Sequence, residues 1–196
     1  MGQLEQTTAR FRGLRLNATA MRLPDLLADA EANSVSYLAF ADMLAEHEQR
    51  CRDGRRVELN RRKAAFPSDK RLEGFDYRHQ TTITKRQVNA LLDFGFIDNR
   101  ENLVFIGPPG VGKTHLAIGI GQKALEAGYK VLFRTALDLV EELELAEMKG
   151  ELKRRVSQLA KFDVIVIDEL GYLPMNRQAR YNLFQLINSL YEYRSV

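Results

Sequence analysis

A single cysteine, Cys51, is the whole of this chain's thiol chemistry. One cysteine forms no internal disulfide and no thiolate metal cluster, and it fits a reducing compartment. No activating group is apparent for it, so it reads as an incidental helix residue. The three histidines, His47, His79 and His115, are not spaced as a metal site, and none of them takes a catalytic role in this reading. No apolar run approaches the length of a membrane span. A signal peptide is missing too, because Glu5, Arg10, Arg12 and Arg15 stand where its apolar core would lie. Gln6 occupies the position where a myristoylation pattern needs Ser or Thr. A large net charge is also lacking: 29 basic against 26 acidic residues leave +3, so charge distribution carries more than its total. These absences predict a cytoplasmic protein without a membrane. The remainder is an ordinary globular composition, and 45% hydrophobic residues in 196 allow one sizeable core with a small appendage.

Two regions differ in texture, and the change near Arg71 predicts a helical N-terminal domain over 1–72 and an α/β domain over 73–196. In the first, Leu26, Leu27, Ala30, Tyr37, Leu38, Ala41, Leu44 and Ala45 recur at spacings of three and four, which predicts an apolar helical stripe. Pro24-Asp25 reads as a helix start and Asn33-Ser34 as a break. A long helix from about Ser36 should end at Phe66-Pro67, since the residue before proline avoids helical geometry. In the second region a helix over Lys85–Phe94 is predicted, capped by Thr84 and closed by Gly95. Buried strands are expected at Leu103–Ile106, Lys130–Phe133 and Val164–Ile167, with helices over Lys113–Ala127, Leu137–Met148, Glu151–Lys161 and Gln178–Tyr193. Strands alternating with helices predict a parallel sheet covered on both faces. The sequence has no internal repeat and no low-complexity segment.

Gly107-Pro108-Pro109-Gly110-Val111-Gly112-Lys113-Thr114 matches G-x-x-x-x-G-K-[ST] in full. Glycine lets backbone N–H groups curl around an anion without a Cβ in the way. The following helix points its N-terminal N–H groups and positive dipole end at the phosphates. Lys113 should reach the β and γ phosphates, and Thr114 should offer its hydroxyl to Mg²⁺. A chance glycine-rich turn is the competing reading; the predicted strand before the motif and helix after it argue against that.

Val164–Ile167 followed by Asp168 and Glu169 is an apolar strand ending in two acids, the Walker B pattern of P-loop proteins. Asp168 should hold Mg²⁺ through water, and Glu169 should orient or deprotonate the attacking water. An acid directly after the Asp marks the hydrolytic, AAA+-like branch. No N-K-x-D guanine signature occurs, which favours ATP over GTP.

Arg50, Arg52, Arg55, Arg56, Arg61, Arg62 and Lys63 crowd one stretch. Arginine forks grip phosphate oxygens and give sequence-independent, salt-sensitive binding. A solvated helix face with i,i+4 pairs, such as Glu58 with Arg62, fits the composition equally. No aromatic residue interleaves, so the contacts expected are to a duplex backbone rather than to stacked single strands.

Together, "LRLNATAMRLPDLL", "NRRKAAF", "LEGFDY", "NLVFIGPPGVGKTHLAIGIGQKALEAGYKVLF" and "FDVIVIDELGYLP" resemble the IstB-type ATPase, the helper encoded beside the transposase of one class of bacterial insertion sequences. The resemblance covers nearly the whole chain. It implies an AAA+ P-loop fold, ATP with Mg²⁺, DNA contacts from the N-terminal helices and ATP-dependent self-assembly on duplex DNA. Stimulation of a partner transposase is implied as well. Residues 107–114 carry over as the nucleotide cradle, and Asp168 and Glu169 as the Mg²⁺ and water residues. The family's chain continues beyond the position of Val196, into a strand that lies between the P-loop strand and the Walker B strand. The expectation is therefore an ATPase domain lacking its C-terminal strands, in which hydrolysis is poor or absent. Two other readings stand beside it. A DnaC-type helicase loader would hold a helicase with its N-terminal helices, and a non-hydrolysing remnant would only bind ATP or DNA.

Overall fold

The computed structural model describes residues 2–78, 82–172, 177–190 and 195. The chain divides into two compact units, Met1–Glu58 and Leu59–Val196. The division comes earlier than the change in sequence texture near Arg71.

The first unit is helical. Helix α1 spans Gln3–Gly13, α2 spans Asn17–Ala32 and α3 begins at Tyr37, running on to Ala64 in the second unit. Helix α2 stops at Asn33, as its sequence suggests, with Ser34 in the left-handed region. Pro24 does not start it, because the helix begins at Asn17 and passes through Pro24. The apolar stripe is only partly buried. Leu26 and Ala30 are inside, whereas Tyr37 and Leu38, in the first turn of α3, are exposed. Helices α2 and α3 also share polar contacts. Glu48, only 4% exposed, accepts from the Thr19 backbone N–H at 2.9 Å, and Thr19 Oγ1 donates to the Leu44 carbonyl at 3.1 Å. Arg52 pairs with the same Glu48 and donates to the Arg15 carbonyl.

The second unit is the α/β part. Helix α4 spans Lys85–Ala90 behind a Thr84–Gln87 capping box, and a 3₁₀ turn over Leu91–Asp93 follows. Gly95 does not close this helix; Phe94 takes the left-handed position and Gly95 opens the short α5, Gly95–Asp98. Helix α6 is Lys113–Glu126, β1 is Val131–Thr135, α7 is Ala136–Met148 and α8 is Leu152–Leu159. Strand β2 is Val164–Asp168, and α9 is Arg177–Leu190; the expected extension of this last helix through Tyr193 lies outside the described residues.

Strands β1 and β2 pair in parallel, with Val131 opposite Val164 and Thr135 opposite Asp168. Side chains alternate across the sheet. Leu132 and Ile165 enter a cluster with Leu139, Leu143, Leu159 and Leu186 from α7, α8 and α9. Val131 faces Gly121 of α6, and Phe133 meets the Phe66 ring at 6.3 Å. Helices thus cover both faces, and each fully buried Leu contributes about 1.5–3 kcal/mol.

Leu103–Ile106 departs from expectation. It forms no strand among the described residues, and Val104 and Ile106 are 77% and 91% exposed. A strand exists only through a hydrogen-bonded neighbour, and β1 and β2 pair with each other instead. The other edge of β2 meets Ser195 through a single parallel bridge at Val164.

Candidate nucleotide-binding site

The phosphate-loop residues lead directly into α6. Gly110 and Gly112 take φ of +83° and +89°, conformations that L side chains rarely adopt. Gly112 is the N-cap of α6, and the Leu116 N–H closes the first helical bond on its carbonyl. The N–H groups of Lys113, Thr114 and His115 therefore belong to the helix's first turn, which has no intrahelical acceptors for them. Pro108 and Pro109 are exposed, and Val111 is half-buried. Lys113 Nζ donates to the carbonyls of Gly107 and Pro108, both at 2.8 Å, so the ammonium lies inside the loop's own curve.

Asp168 ends β2 beside this helix start. Thr114 Oγ1 donates to Asp168 Oδ2 at 2.9 Å, across 54 residues of sequence. Both are half-buried, and the remaining oxygen, Asp168 Oδ1, accepts from the Glu169 N–H at 3.0 Å. Glu169 is exposed, with φ +61°. Among the described residues, the other non-glycine residues with positive φ are Arg15, Ser34, Ala65, Phe94 and Arg100, all at helix or 3₁₀ ends, where this geometry is common. Glu169 stands between the end of β2 and a 3₁₀ turn over Leu170–Tyr172.

The donor set fits Mg²⁺. This ion takes one or two protein oxygens and completes its shell with water and substrate phosphates, and Thr114 with Asp168 offers one hydroxyl and one carboxylate. No cluster of three or more His, Cys, Asp or Glu side chains able to hold a metal occurs among the described residues.

His115 is half-buried and makes two contacts. Its Nε2 lies 2.7 Å from the Arg71 carbonyl, and its ring meets Phe75 edge-on at 5.4 Å. His79 lies outside the described residues.

The basic residues Arg50, Arg52, Arg55, Arg56, Arg61, Arg62 and Lys63 are exposed along α3. Ion pairs among them include Arg50 with Glu46, Arg52 with Glu48, Arg56 with Asp53 and Arg61 with Glu126. A cavity of about 470 Å³ at the far end of α6 from Lys113 is lined by Arg61, Arg62, Phe66, Asp69 and Gln122; no phosphate-loop residue reaches it.

The profile of the family described as IstB-like ATP binding protein matches residues 9–196. A protein named for ATP binding in insertion sequence IS5376 of Geobacillus stearothermophilus is 37% identical over 183 residues, 93% of this chain and 73% of the relative. Its counterpart in insertion sequence IS21 of Pseudomonas aeruginosa is 37% identical over 196 residues, all of this chain and 73% of the relative. Among solved structures, AMPPCP-bound DnaA from Aquifex aeolicus matches with a TM-score of 0.56 at 22% identity. That match covers 67% of this chain and 42% of the DnaA chain, and it shows the AAA+ P-loop fold.

Proposed function

The chain belongs to the family of IstB-like ATP-binding proteins, and from that premise we propose an ATP-dependent helper of DNA transposition that assembles on duplex DNA and stimulates a partner transposase. The observation that carries the nucleotide part is the 2.9 Å bond between Thr114 and Asp168. It supports one site in which Gly107 to Thr114 cradle the phosphates of ATP and the Thr114–Asp168 pair holds Mg²⁺.

In this site Lys113 leaves its carbonyl partners for the β and γ phosphates, and the helix-start N–H groups receive the remaining oxygens. Thr114 and Asp168 would hold Mg²⁺, which would supply neutralisation of phosphate charge. Glu169 orients a water towards the γ phosphate and takes its proton. Little covalent chemistry falls to the protein, so rate comes from positioning and charge. Hydrolysis is part of the proposal.

The roles of the two parts follow the same reading: the N-terminal helices within 1–72, with α3's basic residues, contact the duplex backbone, and residues 73–196 form the ATPase domain. We place the protein in the cytoplasm as an ATP-dependent homo-oligomer; no described helix is long and apolar enough to cross a membrane. The test is an electrophoretic shift of duplex DNA with MgATP, MgADP or no nucleotide, alongside calorimetric binding of MgATP. Slower, larger complexes only with MgATP are expected. Tight MgATP binding with identical shifts in all three lanes would remove ATP-dependent assembly.

A further inference from the structure

The segment that connects α3 to the rest of its unit lies along α6, and glycines are its seats. A Cβ at Gly121 would lie 3.1 Å from the Phe66 ring, one at Gly119 only 2.5 Å from Leu72 Cδ2, and one at Gly112 only 2.6 Å from Phe75 Cε2. Polar contacts hold the same strap. Gln122 Nε2 donates to Asp69 Oδ1 at 3.0 Å, Lys123 Nζ meets Glu73 at 2.9 Å, and His115 Nε2 reaches the Arg71 carbonyl. A carbonyl only accepts, so Nε2 carries the proton of that bond. The strap thus arrives at the start of α6 with Phe75 fixed edge-on between His115 and Tyr77, ring centroids 5.4 and 4.8 Å away.

Gly112 differs from the other two seats. Gly119 and Gly121 are interior helix residues, whereas Gly112 is the left-handed N-cap that carries the chain into Lys113 and Thr114. Glycine has wide backbone freedom. A phosphate cradle is effective only when its N–H groups are held in place beforehand. The Phe75 ring occupies the space a Gly112 side chain would take, and so limits how that turn can move.

We infer that Phe75 is a positioning residue for the phosphate loop: its ring, held by His115 and Tyr77, seats on Gly112 and keeps the turn in the form that receives phosphate. This deepens the nucleotide reading above and rests on it. Mg²⁺ with inorganic tripolyphosphate is the probe, because it has phosphates and no base that an aromatic ring could stack on. It is titrated into the full chain and into Phe75→Ala, Phe75→Tyr and Leu72→Ala. Phe75→Ala should weaken binding about tenfold or more, and Phe75→Tyr should stay within about twofold. Leu72→Ala empties the seat on Gly119 and leaves that on Gly112; it should lower the melting temperature with affinity unchanged within about twofold. Where Phe75→Ala does not fold, Phe75→Leu keeps the bulk without the ring edge and should weaken binding in the same direction. Unchanged affinity in Phe75→Ala, or in Phe75→Leu where it replaces it, overturns the inference, as does an equal loss in Leu72→Ala, because the strap would then act through packing alone. Wild-type protein that binds neither MgATP nor tripolyphosphate removes the nucleotide reading itself.

Discussion

Each of the two units holds a carboxylate against a threonine at 2.9 Å, yet the two pairs do different work. In the helical unit Glu48 accepts from the backbone of Thr19, is almost wholly buried, and is closed off by Arg52. Every strong partner it can use comes from its own fold. In the sheet unit Asp168 accepts from the Thr114 hydroxyl, stays half-exposed, and stands at a helix start whose N–H groups lack helical acceptors. In our proposal the first carboxylate holds helices together, and the second, beside helix-start donors without helical acceptors, serves a ligand. The arginines of α3 fall between these cases, because Arg50, Arg52, Arg56 and Arg61 are answered by acids and yet stay exposed.

The largest effect should come from the open site. Lys113→Ala is expected to lower hydrolysis by about 10²–10³-fold in a phosphate-release assay, with the melting temperature unchanged. A comparable loss from Glu48→Gln would break the distinction between the two carboxylates. On stability the order reverses. Glu48→Gln should cost about 1–3 kcal/mol by denaturant titration while MgATP affinity holds.

Burial pushes the Glu48 carboxyl up, but the hydrogen bonds from Thr19 and Arg52 outweigh it and leave it below the usual value. A carboxyl lowered in the folded state adds stability that is present above its unfolded value and is lost as pH falls through its folded value. Wild type should therefore lose more stability than Glu48→Gln between neutral and acid pH, measured as helical melting curves. A parallel pH dependence would assign the acid sensitivity elsewhere. The smallest effect per residue belongs to the arginines. Changing Arg55, Arg56, Arg61 and Arg62 together to Ala should weaken duplex binding and flatten its salt slope by roughly 0.9 for each DNA phosphate no longer neutralised, with MgATP affinity unchanged.

What could be read from the chain depended on how local the cause was. The eight residues from Gly107 form a turn whose chemistry is contained in them, and the Thr84 cap and the Asn33 stop are equally local. Strands β1 and β2 were also visible as apolar runs, and the structure pairs them. Leu103–Ile106 is just as apolar, but its state depends on a neighbour that no local pattern specifies, and Val104 and Ile106 are exposed. Periodicity likewise marked Tyr37 and Leu38 without telling which part of the stripe a partner helix would cover. Pro24 misled because its proline geometry suits a helix start, while α2 tolerates it inside. At the candidate site, His115 and Phe75 carried no signal of their own. Their meaning comes from a strap that returns to Gly112 from 37 residues earlier in sequence, at Phe75.

The central claim is that the phosphate loop and the end of β2 form one Mg²⁺-nucleotide site. Thr114→Val tests it most directly, since it removes the hydroxyl and keeps the shape. ATP affinity is measured by calorimetry for wild type and variant, with Mg²⁺ and with chelator. Wild type should gain about tenfold or more in affinity from Mg²⁺, and Thr114→Val should lose most of that gain while binding metal-free ATP as before. A Thr114→Val protein that keeps the full Mg²⁺-dependent gain would contradict the account.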